Sequence, residues 1–171
     1  MTAPAEEPDR FSEPLFSELL VIHGMLRDGL AQVRELADRA ADGADDTVIV
    51  ADVEALARDS DLWRLRSHCL YQCRFVHGHH SLEDAMLFPA VREASPDIAA
   101  EVDRLEADHR VVAEHLRAVE DAAAGLTDGL PGDRRRLVDA LHRLETDLLD
   151  HLAREETLLR PVLREMRSFF G

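Results

Sequence analysis

Residues 137–162, LVDALHRLETDLLDHLAREETLLRPV, carry leucine at 137, 141, 144 and 148, then His151 and Glu155, then Leu158 and Val162. Steps of three and four place all of these on one stripe of an α-helix, the stripe such a helix buries. An apolar seam interrupted by one histidine and one acid says two things: the segment is a core helix, and that core holds an ionisable pair. The same steps work outward through the chain. Ile98, Val102, Leu105, His109, Val112, Leu116 and Val119 form a second stripe. Leu62, Leu65, Cys69, Gln72, Val76, His79, Glu83, Met86 and Ala90 form a third, and Phe16, Leu19, His23, Leu26, Leu30 and Val33 a fourth. Each is apolar apart from Gln72 and one short polar interruption, and every interruption contains a histidine.

No segment alternates with the period of a strand, so the class is all-α. Ser12 and Pro14 open a first helix that should run to about Ala41, followed by a loop at Asp42 to Asp46. Asp59-Ser60-Asp61 can cap a main second helix at about 60 to 92. Ser95-Pro96-Asp97, a capping serine followed by proline at the first helical position, opens a third that should stop before Gly125. Thr127 to Asp133 is the last connector, and a fourth helix runs from about Arg134 to Ser168. Residues 1–12, acidic and proline-rich, are expected to form a disordered tail before a single domain at 13–168. Four helices with connectors this short predict an antiparallel up-and-down four-helix bundle, a fold that builds its sites from inward-facing side chains.

The composition narrows the function. With 171 residues the chain can bury roughly 70% of its unfolded surface around one core. Thirty-five acidic residues stand against 20 basic ones, all arginine, for a net charge of −15. That field repels phosphate backbones and anionic lipid, which excludes nucleic acid and membrane surfaces as first readings. No run approaches the roughly 18 apolar residues of a membrane span, and Met1 to Arg10 lacks the apolar core of a signal peptide, so a cytoplasmic location is expected.

The second and fourth helices also repeat each other. His79-His80-Ser81-Leu82-Glu83-Asp84-Ala85-Met86-Leu87-Phe88-Pro89 aligns with His151-Leu152-Ala153-Arg154-Glu155-Glu156-Thr157-Leu158-Leu159-Arg160-Pro161. Both have an acid four residues after the first histidine, a second acid beside it, and Leu and Pro eight and ten residues on. Each half of the chain thus offers a lone histidine, then a His-x-x-x-Glu pair. Residues four apart in a helix lie about 6 Å apart along the axis and roughly 40° apart in rotation, so both can address one ion. Two carboxylates facing each other across a core demand cations or protons, because an unpaired buried carboxylate costs several kcal/mol. Nitrogen and oxygen ligands without thiolate suit iron, manganese or zinc. Six of them, His23, His79, Glu83, His109, His151 and Glu155, suit two octahedral ions bridged by carboxylates better than one tetrahedral zinc.

The order His23, His79-x-x-x-Glu83, His109, His151-x-x-x-Glu155, with Leu-Phe-Pro at 87 to 89, resembles the hemerythrin-like (HHE) domain over about residues 15 to 166. The resemblance implies a four-helix bundle holding two non-haem iron ions, oxo- or hydroxo-bridged, that reacts with a small oxidant: dioxygen, peroxide or nitric oxide. One departure bears on the activity. Oxygen-carrying hemerythrins place two histidines four apart on the third helix, whereas Leu105 and Ala113 flank His109 at that spacing. His115 is turned about 200° away from Ala113 and cannot replace the missing ligand. An iron left open at Ala113 favours peroxide decomposition, a catalase-like activity, over reversible oxygen carriage. The alternatives are oxygen or nitric oxide binding or sensing, and a non-catalytic iron-binding module.

Other polar residues have plainer readings. His80 with Asp84 is expected to be a surface pair, Glu156 and Asp84 to face the rim, and His68, His77, His115 and His142 to be solvated. Tyr71 is expected to pack. Cys69 and Cys73, four apart on a helix, are expected to be reduced core neighbours.

Overall fold

The computed structural model describes residues 14–42, 53–128 and 131–166, with the backbone alone for 53–60, 127, 128 and 131. These residues form α1 (Pro14–Asp42), α2 (Val53–Leu82), a π turn (Glu83–Leu87), α3 (Phe88–Ala94), α4 (Ala99–Ala124) and α5 (Pro131–Glu165), with short 3₁₀ turns at Pro96–Ile98 and Gly125–Asp128. No strand occurs among the described residues, and the all-α class holds. The tail at 1–12 and residues 43–46 of the first loop lie outside the described residues, while Asp42 ends α1. No described helix is long and apolar enough to cross a membrane.

α1 packs on α2 and α5, and α4 packs on α2 and α5, which closes a ring of four. Side-chain contacts step in opposite senses along neighbours. Arg27 meets Glu156 and Arg34 meets Glu145 between α1 and α5, while Asp108 meets Arg154 and His115 meets Asp147 between α4 and α5.

Three helix boundaries depart from the sequence reading. α2 begins at Val53 and runs through Asp59-Ser60-Asp61, so those residues do not cap a new start. Ser95 makes no side-chain capping bond, and a 3₁₀ turn precedes α4. The third departure shapes the interior. At Glu83–Leu87 the chain widens into a π turn, closed by the Phe88 N–H donating to the Glu83 carbonyl five residues back. The extra residue rephases everything beyond it. Met86, expected in the seam, is 40% exposed, and Leu87, Phe88 and Val91 are buried instead. Pro161, the counterpart of Pro89 in the repeat, sits inside α5, which continues through it.

The buried side chains form two apolar clusters. One holds Leu26, Leu30, Val76, Val112, Leu116, Leu148 and Leu152, among others. The other holds Leu19, Leu87, Phe88, Leu105 and Leu159 with their neighbours. Along each helix the polar interruption falls between them: His23 between Leu19 and Leu26, Glu83 between Val76 and Leu87, His109 between Leu105 and Val112, Glu155 between Leu152 and Leu159. Fully burying each aliphatic side chain contributes about 1.5–3 kcal/mol. The apolar ends thus fold the bundle and force its polar middle out of water.

Candidate metal centre

All six residues singled out in the sequence are buried: His23 0%, His79 7%, Glu83 3%, His109 4%, His151 0% and Glu155 0% exposed. They converge. His79 Nε2 lies 2.9 Å from Glu83 Oε1, and His23 Nε2 lies 3.5 Å from Glu155 Oε2 and 3.9 Å from Glu83 Oε1. On the other side of Glu83, its Oε2 lies 3.4 Å from His109 Nε2, and His109 Nε2 lies 3.0 Å from His151 Nε2. His151 Nε2 is 3.4 Å from Glu155 Oε2, closing the circuit.

His80 joins them, against the expectation of a surface pair. It is 4% exposed, and its ring stacks on His109 at 3.9 Å between centroids. Ligand atoms of His80, Glu83, His109 and His151 lie within 4.8 Å of one another, as do those of His23, His79, Glu83 and Glu155. Glu83 belongs to both groups. His80 faces inward at the start of the last α turn before the π turn, where two consecutive residues, 79 and 80, are buried together. A fourth donor in this group thus comes from α2, whereas Ala113 on α4 offers none. The sequence held one signal of this, the doubled His79-His80, but helical period alone gives the seam to only one of them.

Two of the outward-facing ring nitrogens have carboxylate partners, while His151 Nδ1 makes no hydrogen bond. Glu156 Oε1 lies 2.8 Å from His23 Nδ1 and accepts from Arg27 at 2.7 Å, while Asp84 Oδ1 lies 2.7 Å from His109 Nδ1. An Nδ1–H donating to a carboxylate leaves the Nε2 lone pair pointing inward, which fixes the tautomer a metal requires. Asp108 Oδ2 sits farther from His151 Nδ1, at 3.6 Å, and is paired with Arg154 at 3.0 Å. Asp84 and Glu156, expected at the rim, are half-buried and reach the rings of His109 and His23. His115 is half-buried on Asp147, whereas His68, His77 and His142 are exposed as expected. Tyr71 is 68% exposed rather than packed inside, stacking on Phe75 at the surface, away from the candidate ligands. Cys69 and Cys73 are buried, and burial pushes both thiols up to about 12, so they are inert neighbours of the core.

The interior leaves polar atoms without hydrogen-bond partners: Nε2 of His23, His79 and His80, and both carboxylate oxygens of Glu83 and Glu155. Buried polar atoms are almost always bonded. Here His23, His79, Glu83 and Glu155 approach one another at 2.9–3.9 Å without making a hydrogen bond. The electrostatics agree. Burial pushes Glu83 up to about 9, assisted by the Glu155 charge, and holds His79 and His80 below the usual imidazole range. Burial and the neighbouring His151 push His109 down to about 3. Neutral imidazoles and a carboxyl short of a counter-charge are what a cation would complete. The donor set therefore fits two metal ions that prefer nitrogen and oxygen.

Comparison with curated proteins and with solved structures found no match. A family model described as the hemerythrin HHE cation binding domain matches residues 15–163, which include every candidate ligand. The chain belongs to the hemerythrin HHE cation-binding domain family.

Proposed function

We propose that this chain holds two non-haem iron ions and reacts with a small oxidant, dioxygen or peroxide. The observation that carries this is the set of partnerless Nε2 and carboxylate atoms at mid-bundle, arranged as two groups that share Glu83. His80, His109 and His151 would hold one ion, His23, His79 and Glu155 the other, with Glu83 between them. When bound, iron supplies the redox chemistry and an exchangeable coordination position for the oxidant.

This chain's own residues supply the rest. Asp84 and Glu156 hold His109 and His23 in the ligating tautomer, and the two apolar clusters enclose the centre from either end of the bundle. Phe88, fully buried, stacks on His109 at 5.2 Å and covers that side.

A second reading, reversible binding of dioxygen or nitric oxide, gains from His80. The case for peroxide decomposition rested on an open position at Ala113, and His80 now stands among the donors of that ion. The test is the absorption spectrum of the iron-loaded chain, recorded with dioxygen and with peroxide, and the rate of oxygen release from peroxide. Peroxide decomposition absent from the metal-free chain supports the enzymatic form. A spectrum that changes with dioxygen and reverts on its removal supports binding. No response to either oxidant would leave an inert iron-binding module.

A further inference from the structure

A cavity of about 310 Å³ opens between α1, the π turn and α5, walled by Leu19, Ile22, Leu82, Met86, Leu87 and Leu163. His79 and Glu83 form part of the same wall, so the cavity reaches the candidate centre from one side. Of the other group only the shared Glu83 is reached: His80, His109 and His151 do not line it. The π turn helps to build this space, since rephasing the helix sends Met86 out to the mouth and Leu87 inward. Leu82, 62% exposed, and Met86, 40% exposed, leave large apolar side chains in water at the entrance. A π turn inside a helix is frequently found at functional sites.

The size is the second clue. A water-sized molecule needs on the order of 10–15 Å³ by this kind of measure, and an apolar cavity of about 150 Å³ holds benzene. A diatomic oxidant would therefore occupy a small part of 310 Å³. Volumes of about 300 Å³ and above, mostly apolar with a few convergent polar groups, are those of organic-ligand sites. The third clue is charge. The lining carries no Arg or Lys, its ionisable groups beyond His79 are the acids Glu18 and Glu83, and the chain as a whole is at −15. Organic anions are disfavoured, and a wall this apolar offers an organic cation little compensation for its lost hydration.

We propose that this cavity binds an uncharged, apolar organic molecule of one or two rings, or an aliphatic chain of similar bulk, seated against His79 and Glu83. This goes beyond the reaction with a small oxidant and does not depend on which metal is held.

The probe is indole, titrated calorimetrically into the full chain as purified, with indole-3-acetate and tryptamine as its anionic and cationic counterparts. Iron content is measured on the same samples. Saturable one-to-one binding of indole is expected, with a dissociation constant below about 1 mM, and at least tenfold weaker binding of both charged analogues. Ile22→Trp, filling the cavity from a half-buried position, should weaken indole binding tenfold or more. Met86→Trp, at the exposed mouth where folding is little taxed, should do the same. Leu20→Trp, exposed and off the cavity wall, should bind as wild type. Indole binding by a chain that holds no iron would support this site while contradicting the metal reading. Absence of indole binding at millimolar concentration, wild-type affinity in both cavity variants, or tighter binding of either charged analogue would overturn the proposal.

Discussion

Asp84 Oδ1 lies 2.7 Å from Nδ1 of His109, a contact that crosses from the first helical hairpin to the second. Its counterpart runs the other way, with Glu156 Oε1 2.8 Å from Nδ1 of His23. The two sequence repeats thus use their paired acids alike: the first acid, Glu83 or Glu155, faces the centre, and the second orients the lone histidine of the opposite hairpin.

Asp84→Ala and Glu156→Ala should each weaken metal binding by about 10–100-fold, the usual effect of removing a carboxylate that orients a ligating histidine. Competition titration against a chelator measures this. Helical circular dichroism should be unchanged. Had both acids been rim residues, as the sequence reading placed them, neither substitution would alter the affinity.

Glu83 and His80 make a contrasting pair. Glu83 belongs to both candidate groups, so Glu83→Ala should remove both ions, while His80→Ala should deplete the His109/His151 group and leave the other in place. Elemental analysis after exhaustive dialysis separates the outcomes. Equal metal content in His80→Ala and wild type would return His80 to a packing role.

Gly29 tests the one polar residue of the apolar seam. A Cβ there would stand 2.1 Å from Gln72 Oε1, and Gln72 is buried with its Nε2 donating to the Leu26 carbonyl at 2.9 Å. Gly29→Ala gains about 0.5–1 kcal/mol of helix propensity. Displacing the buried amide costs about 1–3 kcal/mol. Net destabilisation of about 1 kcal/mol is expected in urea melts, and adding Gln72→Ala should recover most of it. A Gly29→Ala protein more stable than wild type would show that the amide moves freely.

The metal-free chain should be most stable near pH 6.5. His79, His80 and His109 have folded pKa values below the ordinary 6.5, so below that pH the unfolded chain takes up protons that the folded chain does not, and stability falls with falling pH. Glu83 is the opposite case. Raised from 4.5 to about 9, it keeps in the folded state a proton that the unfolded chain loses above pH 4.5, so its contribution falls as pH rises to about 9 and sets the net trend once the histidines are neutral above 6.5. Metal loading displaces that proton and should flatten the alkaline limb. Urea melts from pH 5 to 9, with and without metal, measure both limbs; an alkaline limb equally steep with metal bound would contradict the assignment of Glu83.

Much of this was legible in the sequence because helical burial follows a fixed period. The stripes through His23, His109 and His151 predict buried faces that the structure confirms almost residue for residue. The failures concentrate where that period breaks. At the π turn five residues make the turn, so Met86 leaves the core and Leu87 and Phe88 enter it. His80 was missed in the same region, since a seam one residue wide admits His79 alone. Asp84 and Glu156 escaped for another reason: their role depends on which ring nitrogen they meet on a different helix, and no pattern within one helix encodes that.

If histidines and a shared carboxylate hold a pair of iron ions, the metal content of the purified chain will show it. After expression in iron-replete medium and removal of loosely bound metal, elemental analysis should give about two irons per chain, the number that suits two groups of nitrogen and oxygen ligands. One ion per chain, or zinc in place of iron, would contradict it.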